Sequence, residues 1–240
     1  MSDGIYVALS GALGQSLSLE STANNLANTS TDGYRRVHPV FQQALSTAGG
    51  AASRRTSGVT VARLAVDQTA GALRPTGRSL DAALPDDTWL AVSTPRGERY
   101  TRAASIQIAP DGAVRTAQGH AVMGENGAPL TVPPGTLGVG LTPAGELRNE
   151  ATSVGRLRLV RFAANAPLTQ EGATLVAAGG ARPTLAVNPT LAVGSLEGSN
   201  ASTVSAMTEM VTATRTFEAF QRVIDAFRDA DRRVVSSVPG

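Results

Sequence analysis

The sequence contains no cysteine and no lysine, and it has few aromatic residues. Cysteine is absent from all 240 residues, which excludes disulfide bonds, thiolate nucleophiles and cysteine-ligated metals. A chain of this kind that works outside the cytoplasm must be stabilised by packing and assembly alone. All 21 basic residues are arginine, and aromatic residues make up only 4% of the chain. This scarcity disfavours a carbohydrate-binding module, which needs exposed tryptophan or tyrosine platforms.

Long apolar runs and dense charge clusters are also missing. No stretch approaches the roughly 18 apolar residues that a membrane-spanning helix requires, so we expect no membrane insertion. The N-terminus lacks the positively charged and apolar regions of a secretory signal peptide. The net charge is only +2 and the arginines are dispersed, which disfavours nucleic-acid binding.

No pattern of catalytic or metal-ligating residues occurs in the sequence. The two histidines, His38 and His120, lie 82 positions apart without carboxylates at ligand spacing. No nucleophile elbow or glycine-rich nucleotide fingerprint is present. We therefore expect no cofactor, no metal site and no catalytic residue, and we predict that the protein is not an enzyme.

The C-terminal segment carries a narrow apolar stripe with the spacing of a coiled coil. From Ala206 to Val238, apolar or small residues recur at alternating steps of four and three, interrupted only at Asp231. The opposite face carries charges of both signs. Such a narrow stripe on a helix of about 50 Å requires a partner helix. The predicted interface residues of this helix are Met210, Phe217, Phe220, Ile224 and Phe227.

The best partner for this stripe lies at the other end of the chain. Between Gly4 and Asn28 the same alternation recurs, with Ser16 as the only polar member. Gly11 and Gly14 weaken this helix, because glycine costs roughly 1 kcal/mol relative to alanine in a helix interior. We predict that the two helices pair as a coiled coil, and the interface residues expected in the first helix are Ile5, Leu9, Leu19 and Leu26. Two ordinary amphipathic helices that close a globular domain are the alternative.

The middle of the chain has the pattern of a β domain. Residues 81–196 contain short β-branched runs separated by turns such as Pro110-Asp111-Gly112, where proline presets φ and Asp-Gly tolerates positive φ. Residues 37–80 are rich in small residues and are interpreted as an extended connector. The predicted fold is therefore α+β: long terminal helices in residues 1–36 and 197–240 pair as a coiled coil, and the centre is an antiparallel all-β domain.

Three segments of the sequence resemble signatures of one known family. The run from Asn24 to Arg35 matches every fixed position of the Asn-Asn-Leu-Ala-Asn-x-x-Thr-x-Gly-(Phe/Tyr)-(Lys/Arg) segment of flagellar rod and hook proteins. Tyr100-Thr101-Arg102 and the turns after it are similar to a second run of that family. Gly194 to Asn200 resembles the Gly-x-(Leu/Val)-Glu-x-Ser-Asn segment that precedes the family's last helix. The resemblance thus extends over nearly the whole chain.

This resemblance implies a structural subunit of the bacterial flagellar basal body. Such a subunit self-assembles through its terminal helices into the rod that transmits torque, and the resemblance adds Asn24, Asn25 and Asn28 to the candidate interface residues. It also implies three kinds of partner: other rod subunits, further copies of the chain and the flagellar export apparatus. The expected location is the periplasm-spanning rod, reached by export without a cleaved signal peptide.

Alternatives remain at two levels. Within the family, the segments Asp3–Ala8 and Ala206–Val211 favour a proximal-rod protein, and a distal-rod or hook-type axial protein is the alternative. In another class, a small β-domain cell-wall enzyme or carbohydrate-binding protein with helical dimerisation ends would share the same general pattern.

Overall fold

The computed structural model describes most of the chain, with a helix at each end. Helix α1 spans Ser2–Ala27 and helix α2 spans Thr203–Ser236. The predicted helix end at Val238 lies outside the described residues. The described residues are 2–45, 57–85, 87–133, 136, 138–149, 152–164 and 166–236.

Eighteen strands lie between the two helices in the described part of the chain. Most are only two to five residues long, as the closely spaced turn residues predict. In chain order they are β1 (Val37–Leu45), β2 (Ser57–Val66), β3 (Leu73–Pro75), β4 (Asp81–Ala83), β5 (Thr88–Thr94), β6 (Gly97–Thr101), β7 (Ala104–Ile108), β8 (Val114–Thr116), β9 (Ala121–Val122), β10 (Val139–Leu141), β11 (Glu146–Asn149), β12 (Thr152–Arg156), β13 (Leu159–Arg161), β14 (Thr169–Glu171), β15 (Leu175–Ala177), β16 (Thr184–Leu185), β17 (Ala192–Val193) and β18 (Ser195–Glu197).

The chain divides into two compact units. The helical unit contains α1, β1, α2 and β2 as far as Ala65. The β unit contains Asn28–Arg36 and Val66–Ala201, so it draws in short segments on both sides of the predicted β domain. The prediction of an α+β fold, with a helix at each end and a central antiparallel β region, is confirmed. The coiled-coil geometry of the helix pair remains a prediction.

The segment predicted to be an extended connector contains regular strands. Strands β1 and β2 pair with each other, and β3 pairs in antiparallel register with β18 of the β unit. Strand β1 carries histidine, proline and two glutamines rather than a clean alternation of apolar residues. Its strand conformation therefore has little local signal and depends on contacts made after folding.

A large antiparallel sheet forms the centre of the β unit. Its main path runs β14-β15-β6-β5-β9-β8-β7-β4-β17; β13 joins this path through β5, and β16 pairs with β13. Strand β5 is buried on both faces, because successive side chains of a strand point to opposite sides. Leu90 and Val92 pack into one apolar cluster with Ile106, whereas Trp89 packs into a second cluster with Phe162. The smaller sheet β10-β11-β12 contributes Leu147 to the first cluster.

Neither helix of the described residues carries an apolar stretch long enough to cross a bilayer.

Candidate assembly surface

The two terminal helices pack against each other in antiparallel orientation. A Cβ atom added to Gly11 would lie 2.5 Å from Cε1 of Phe220, and one added to Gly4 would lie 2.7 Å from Cζ of Phe227. From Gly4 to Gly11 the residue number rises along α1, whereas the contacted phenylalanine changes from Phe227 to Phe220 along α2. The two helices therefore run in opposite directions. Both phenylalanine rings thus rest on positions of α1 that carry no side chain, and the two backbones approach closely.

The covered row of α2 coincides with the series of small and apolar residues seen in the sequence. Ala206 and Ala213 are buried, and the larger members of the series as far as Phe227 are half-buried. The flanking positions are mostly exposed and include charged residues such as Arg215 and Glu218. All five interface residues predicted in α2 lie half-buried in this row: Met210, Phe217, Phe220, Ile224 and Phe227.

The covered row of α1 is displaced by one residue from the predicted series. The predicted members Ile5, Leu19 and Leu26 are half-buried, but Leu9 is 45% exposed. Ser16 and Ala23 of the same series are exposed as well, whereas Ala12 is buried. A complete row of covered positions with the same alternation of four and three is Gly4, Ala8, Gly11, Gln15, Ser18, Thr22 and Asn25.

The reason for the displacement is the size of the side chains on the facing helix. A ring as large as that of Phe220 or Phe227 fits only against a small partner, so the face of α1 with the smallest residues turns inward. A similar contact joins α1 to β1, where the ring of Phe41 packs against Gly14. A Cβ atom added to Gly14 would lie 3.0 Å from Cε1 of Phe41. A count of large apolar residues alone could not find this row.

The asparagine-rich segment ends α1 and fixes the strand that follows. Asn25 is buried and mimics a peptide group: its Nδ2 donates to the carbonyl of Val37 at 2.8 Å, and its Oδ1 accepts the N–H of Val37 at 2.9 Å. Asn28 lies in the β unit, where its Oδ1 accepts the Thr31 hydroxyl at 3.1 Å. Asn24 is exposed on the last turn of α1. At least Asn25 therefore serves the fold of the chain itself.

Large apolar side chains remain exposed on both helices after they have paired. Helix α1 exposes Tyr6, Val7, Leu9 and Leu13, and helix α2 exposes Val204, Met207, Val211 and Val223. We call these eight residues the outer apolar rows. A groove of about 470 Å³ runs between the helices and is lined by residues such as Leu9, Leu13, Phe217 and Ile224. Large apolar side chains exposed in such number on two paired helices are typical of protein interfaces.

The β unit has no comparable aromatic platform in its described residues. Trp89 is buried, as are Tyr34 and Tyr100, and the remaining tyrosine, Tyr6, belongs to α1. Within the described ranges, no group of three or more acidic, histidine or cysteine side chains lies close enough to hold a metal ion. A carbohydrate-binding β unit would need exposed tryptophan or tyrosine rings that these burial values do not provide.

Two family models match the ends of the chain. The model described as flagella basal body rod protein matches residues 5–35, which contain most of α1 and the asparagine-rich segment. The model described as flagellar basal body rod FlgEFG protein C-terminal matches residues 192–237, which contain α2 and the segment that leads into it. The two helices and their adjoining segments thus carry both matches.

Curated relatives match over almost the full length. The chain is 40% identical to the flagellar basal-body rod protein FlgF of Escherichia coli strain K12, over 95% of each protein. It is 38% identical to FlgF of Salmonella typhimurium strain LT2, over 97% of each. The flagellar basal-body rod protein FlgG of Bacillus subtilis strain 168 is 26% identical, over 92% of this chain and 93% of FlgG.

Proposed function

Because this chain belongs to the flagellar basal-body rod protein family, we propose that it acts as a structural subunit of the proximal rod. The observation that carries this proposal is the 40% identity with a FlgF protein over 95% of both chains. The identity with FlgG of Bacillus subtilis is lower, at 26%, so the proximal-rod assignment is the better supported one. The chain resides in the flagellum and assembles with other components of the rod.

The surface that joins neighbouring subunits is proposed to be the outer apolar rows. Pairing of α1 with α2 inside one chain covers the phenylalanines of α2, but it leaves residues such as Leu13 and Val211 exposed. Burial of apolar surface contributes about 25 cal/mol per Å², so these rows supply a driving force only after they meet another subunit. A head-to-tail contact that does not close on itself builds an open helical array. That geometry suits self-association in a rod.

Further partners follow from the same role. We infer that the chain reaches the rod through the flagellar export apparatus, without cleavage of a signal peptide. We also infer that it catalyses no reaction, because a rod subunit works through contacts with its neighbours.

The test is the composition of purified basal bodies. In a strain whose own gene for this chain is deleted, a tagged copy should restore swimming in soft agar. The tagged chain should then be found in basal bodies isolated with detergent, at the cell-proximal part of the rod. A tagged chain that restores swimming but is absent from washed basal bodies would contradict the structural role. A tag at the distal part of the rod would instead favour the FlgG-type alternative.

A further inference from the structure

Three charged side chains meet in the interior of the β unit. Glu197 is 2% exposed, and its Oε1 lies 2.6 Å from Nη2 of Arg35. Its Oε2 accepts the Nε–H of Arg102 at 2.8 Å and also pairs with Nη2 of that residue. We call Arg35, Arg102 and Glu197 the Glu197 cluster. Two guanidinium groups therefore share one carboxylate away from solvent.

The two arginines are held very differently. Arg102 also donates to the carbonyl groups of Leu84, Pro85 and Thr88, and its guanidinium lies 5.9 Å from the ring centre of Trp89. Arg35 donates to the carbonyl of Thr69, but its buried Nε has no hydrogen-bond partner among the described residues. Burial lowers the pKa of Arg35, and the charge of Glu197 only partly offsets this effect. Arg35 is thus the arginine that depends on Glu197.

Glu197 also connects three distant parts of the chain. Its backbone carbonyl accepts the N–H of Gly33 at 2.7 Å, and its Oε1 accepts the N–H of Gly71 at 2.8 Å. Close by in sequence, Oδ1 of Asn200 accepts the N–H of Arg36 at 2.6 Å. The segment that continues from α1 and the segment that leads into α2 therefore lie side by side within the β unit.

Gly33 shows how closely these segments are fitted. It has a φ of 72°, and a Cβ atom there would lie 2.3 Å from the backbone nitrogen of Ala103. Any larger residue would push the segment away from the strand that leads to Arg102. Residues 28–36 are thus held both by the close packing of Gly33 and by the ion pair of Arg35 with Glu197.

We propose that the Glu197 cluster is a clamp that holds residues 28–36 beside residues 197–201, so that α1 and α2 pair within one chain. Without the clamp, the folded β unit still holds β18 beside β3, and about 50 residues (28–72 and 198–202) link the two helices, so closing this longer loop opposes their pairing. With it, only about a dozen residues link the helices through the clamped point. Because closure falls roughly as the −3/2 power of loop length, the clamp raises the effective concentration of one helix at the other roughly eight-fold.

The charges of the cluster provide a specific way to open the clamp. Glu197→Gln keeps the shape of the side chain but leaves two buried guanidinium groups without a carboxylate, which is strongly destabilising. Arg102 keeps its carbonyl partners, so the group expelled should be Arg35, together with its segment. The double variant Arg35→Met, Glu197→Gln removes the expelled charge and keeps an apolar side chain of similar length. It should close the clamp again.

The experiment measures helix pairing in the full chain in dilute solution. Because the chain contains no cysteine, Leu13→Cys and Glu218→Cys place exactly two spin labels, on exposed positions of α1 and α2 at the same level of the pair. Pulsed electron resonance should give one narrow distance peak. With Glu197→Gln, we expect the narrow fraction to fall several-fold. A cooperative urea transition followed by fluorescence of Trp89, the only tryptophan, shows that the β unit is folded; its emission intensity is not compared, because Arg102 lies against the ring.

The double variant and one control decide between the possible outcomes. A narrow peak restored by Arg35→Met, Glu197→Gln supports the clamp, even if Glu197→Gln alone unfolds the β unit. A narrow peak retained in Glu197→Gln overturns it, and so does a folded double variant with a broad distribution. Glu146→Gln removes a carboxylate from an exposed ion pair with Arg156 and should leave the peak unchanged. The inference concerns the single chain and does not depend on assembly of the rod.

Discussion

Gly11 of α1 lies directly under the ring of Phe220 of α2, at a distance that leaves no space for a Cβ atom. A glycine at this position weakens an isolated helix by roughly 1 kcal/mol relative to alanine. In the folded chain it lets the two helices approach closely, and the phenylalanine gains its contact there. The residue that weakens the helix is therefore the residue that permits the pair.

Gly11→Ala should accordingly destabilise the helical unit although it favours the isolated helix. Overpacking a fitted contact costs about 1–3 kcal/mol, which exceeds the gain of about 1 kcal/mol in helix propensity. Thermal unfolding followed by circular dichroism at 222 nm should show an earlier loss of helix. Ser16→Ala, at an exposed position of the same helix, is the matched control and should be neutral or slightly stabilising. A Gly11→Ala variant with the higher melting temperature would disprove the close contact.

Phe217→Asp should separate the helices without harming the β unit. Phe217 lies in the covered row of α2 and lines the groove between the helices, and truncating a well-packed phenylalanine costs about 3–5 kcal/mol. We expect loss of helical signal and of swimming, with unchanged Trp89 fluorescence. Thr214→Asp adds the same charge at an exposed position of α2 and should keep the helices paired. Equal effects of the two changes would mean that charge, rather than the ring contact, is responsible.

The limits of the β unit can be tested with two fragments. Residues 28–201 keep Arg35 and Glu197 together with strands β3 and β18, so this fragment should fold and unfold cooperatively. Residues 81–196, the limits predicted from sequence, omit Glu197 and leave Arg102 buried without a carboxylate. Breaking a buried pair in this way costs about 3–5 kcal/mol. The shorter fragment should melt at a clearly lower temperature, and an equal melting temperature would show that the cluster adds no stability.

Stability should fall steeply in alkaline solution because of a buried tyrosine. Burial, together with the nearby carboxylate of Glu98, raises the pKa of Tyr100 to about 12. An unfolded tyrosine ionises near 10, so this group favours the folded state below pH 10, and its contribution is lost as the pH rises toward 12. The free energy of unfolding should decrease by up to about 1.4 kcal/mol per pH unit in that range.

The absence of lysine makes this titration unusually clear. Lysine, which also ionises near pH 10, is absent, so no ammonium side chain obscures the ionisation of tyrosine between pH 10 and 12. Burial also raises the pKa of Tyr34. In urea unfolding experiments, Tyr100→Phe should therefore reduce the pH dependence without abolishing it. An unchanged slope would show that Tyr100 is accessible to solvent in the folded protein.

Much of the fold could be predicted because its signals are local. The large apolar residues of α2 stand at regular spacing, and turns such as Pro110-Asp111-Gly112 mark the ends of short strands, with Gly112 at a φ of 80°. These features act within a few residues of each other, so a single sequence reveals them.

The features of the structure that could not be predicted from the sequence depend on contacts between distant residues. The covered row of α1 consists of small and polar residues, whose pattern has meaning only once Phe220 faces Gly11. Likewise, Arg35 and Glu197 stand in two segments that resemble family signatures, but nothing in their spacing shows that they meet Arg102 in one buried cluster. The sequence therefore identified important segments without showing which residues join them.

The central claim, that the outer apolar rows join the chain to its neighbours in the rod, is tested most directly by chemical accessibility at Val211. In a Val211→Cys variant the only thiol of the chain stands on the exposed face of α2. The rate of its reaction with a maleimide is measured in the free subunit, in washed basal bodies and again after acid dissociation. We predict rapid reaction in the free and dissociated chain and strong protection in the basal body. Equal rates in all three would contradict the claim.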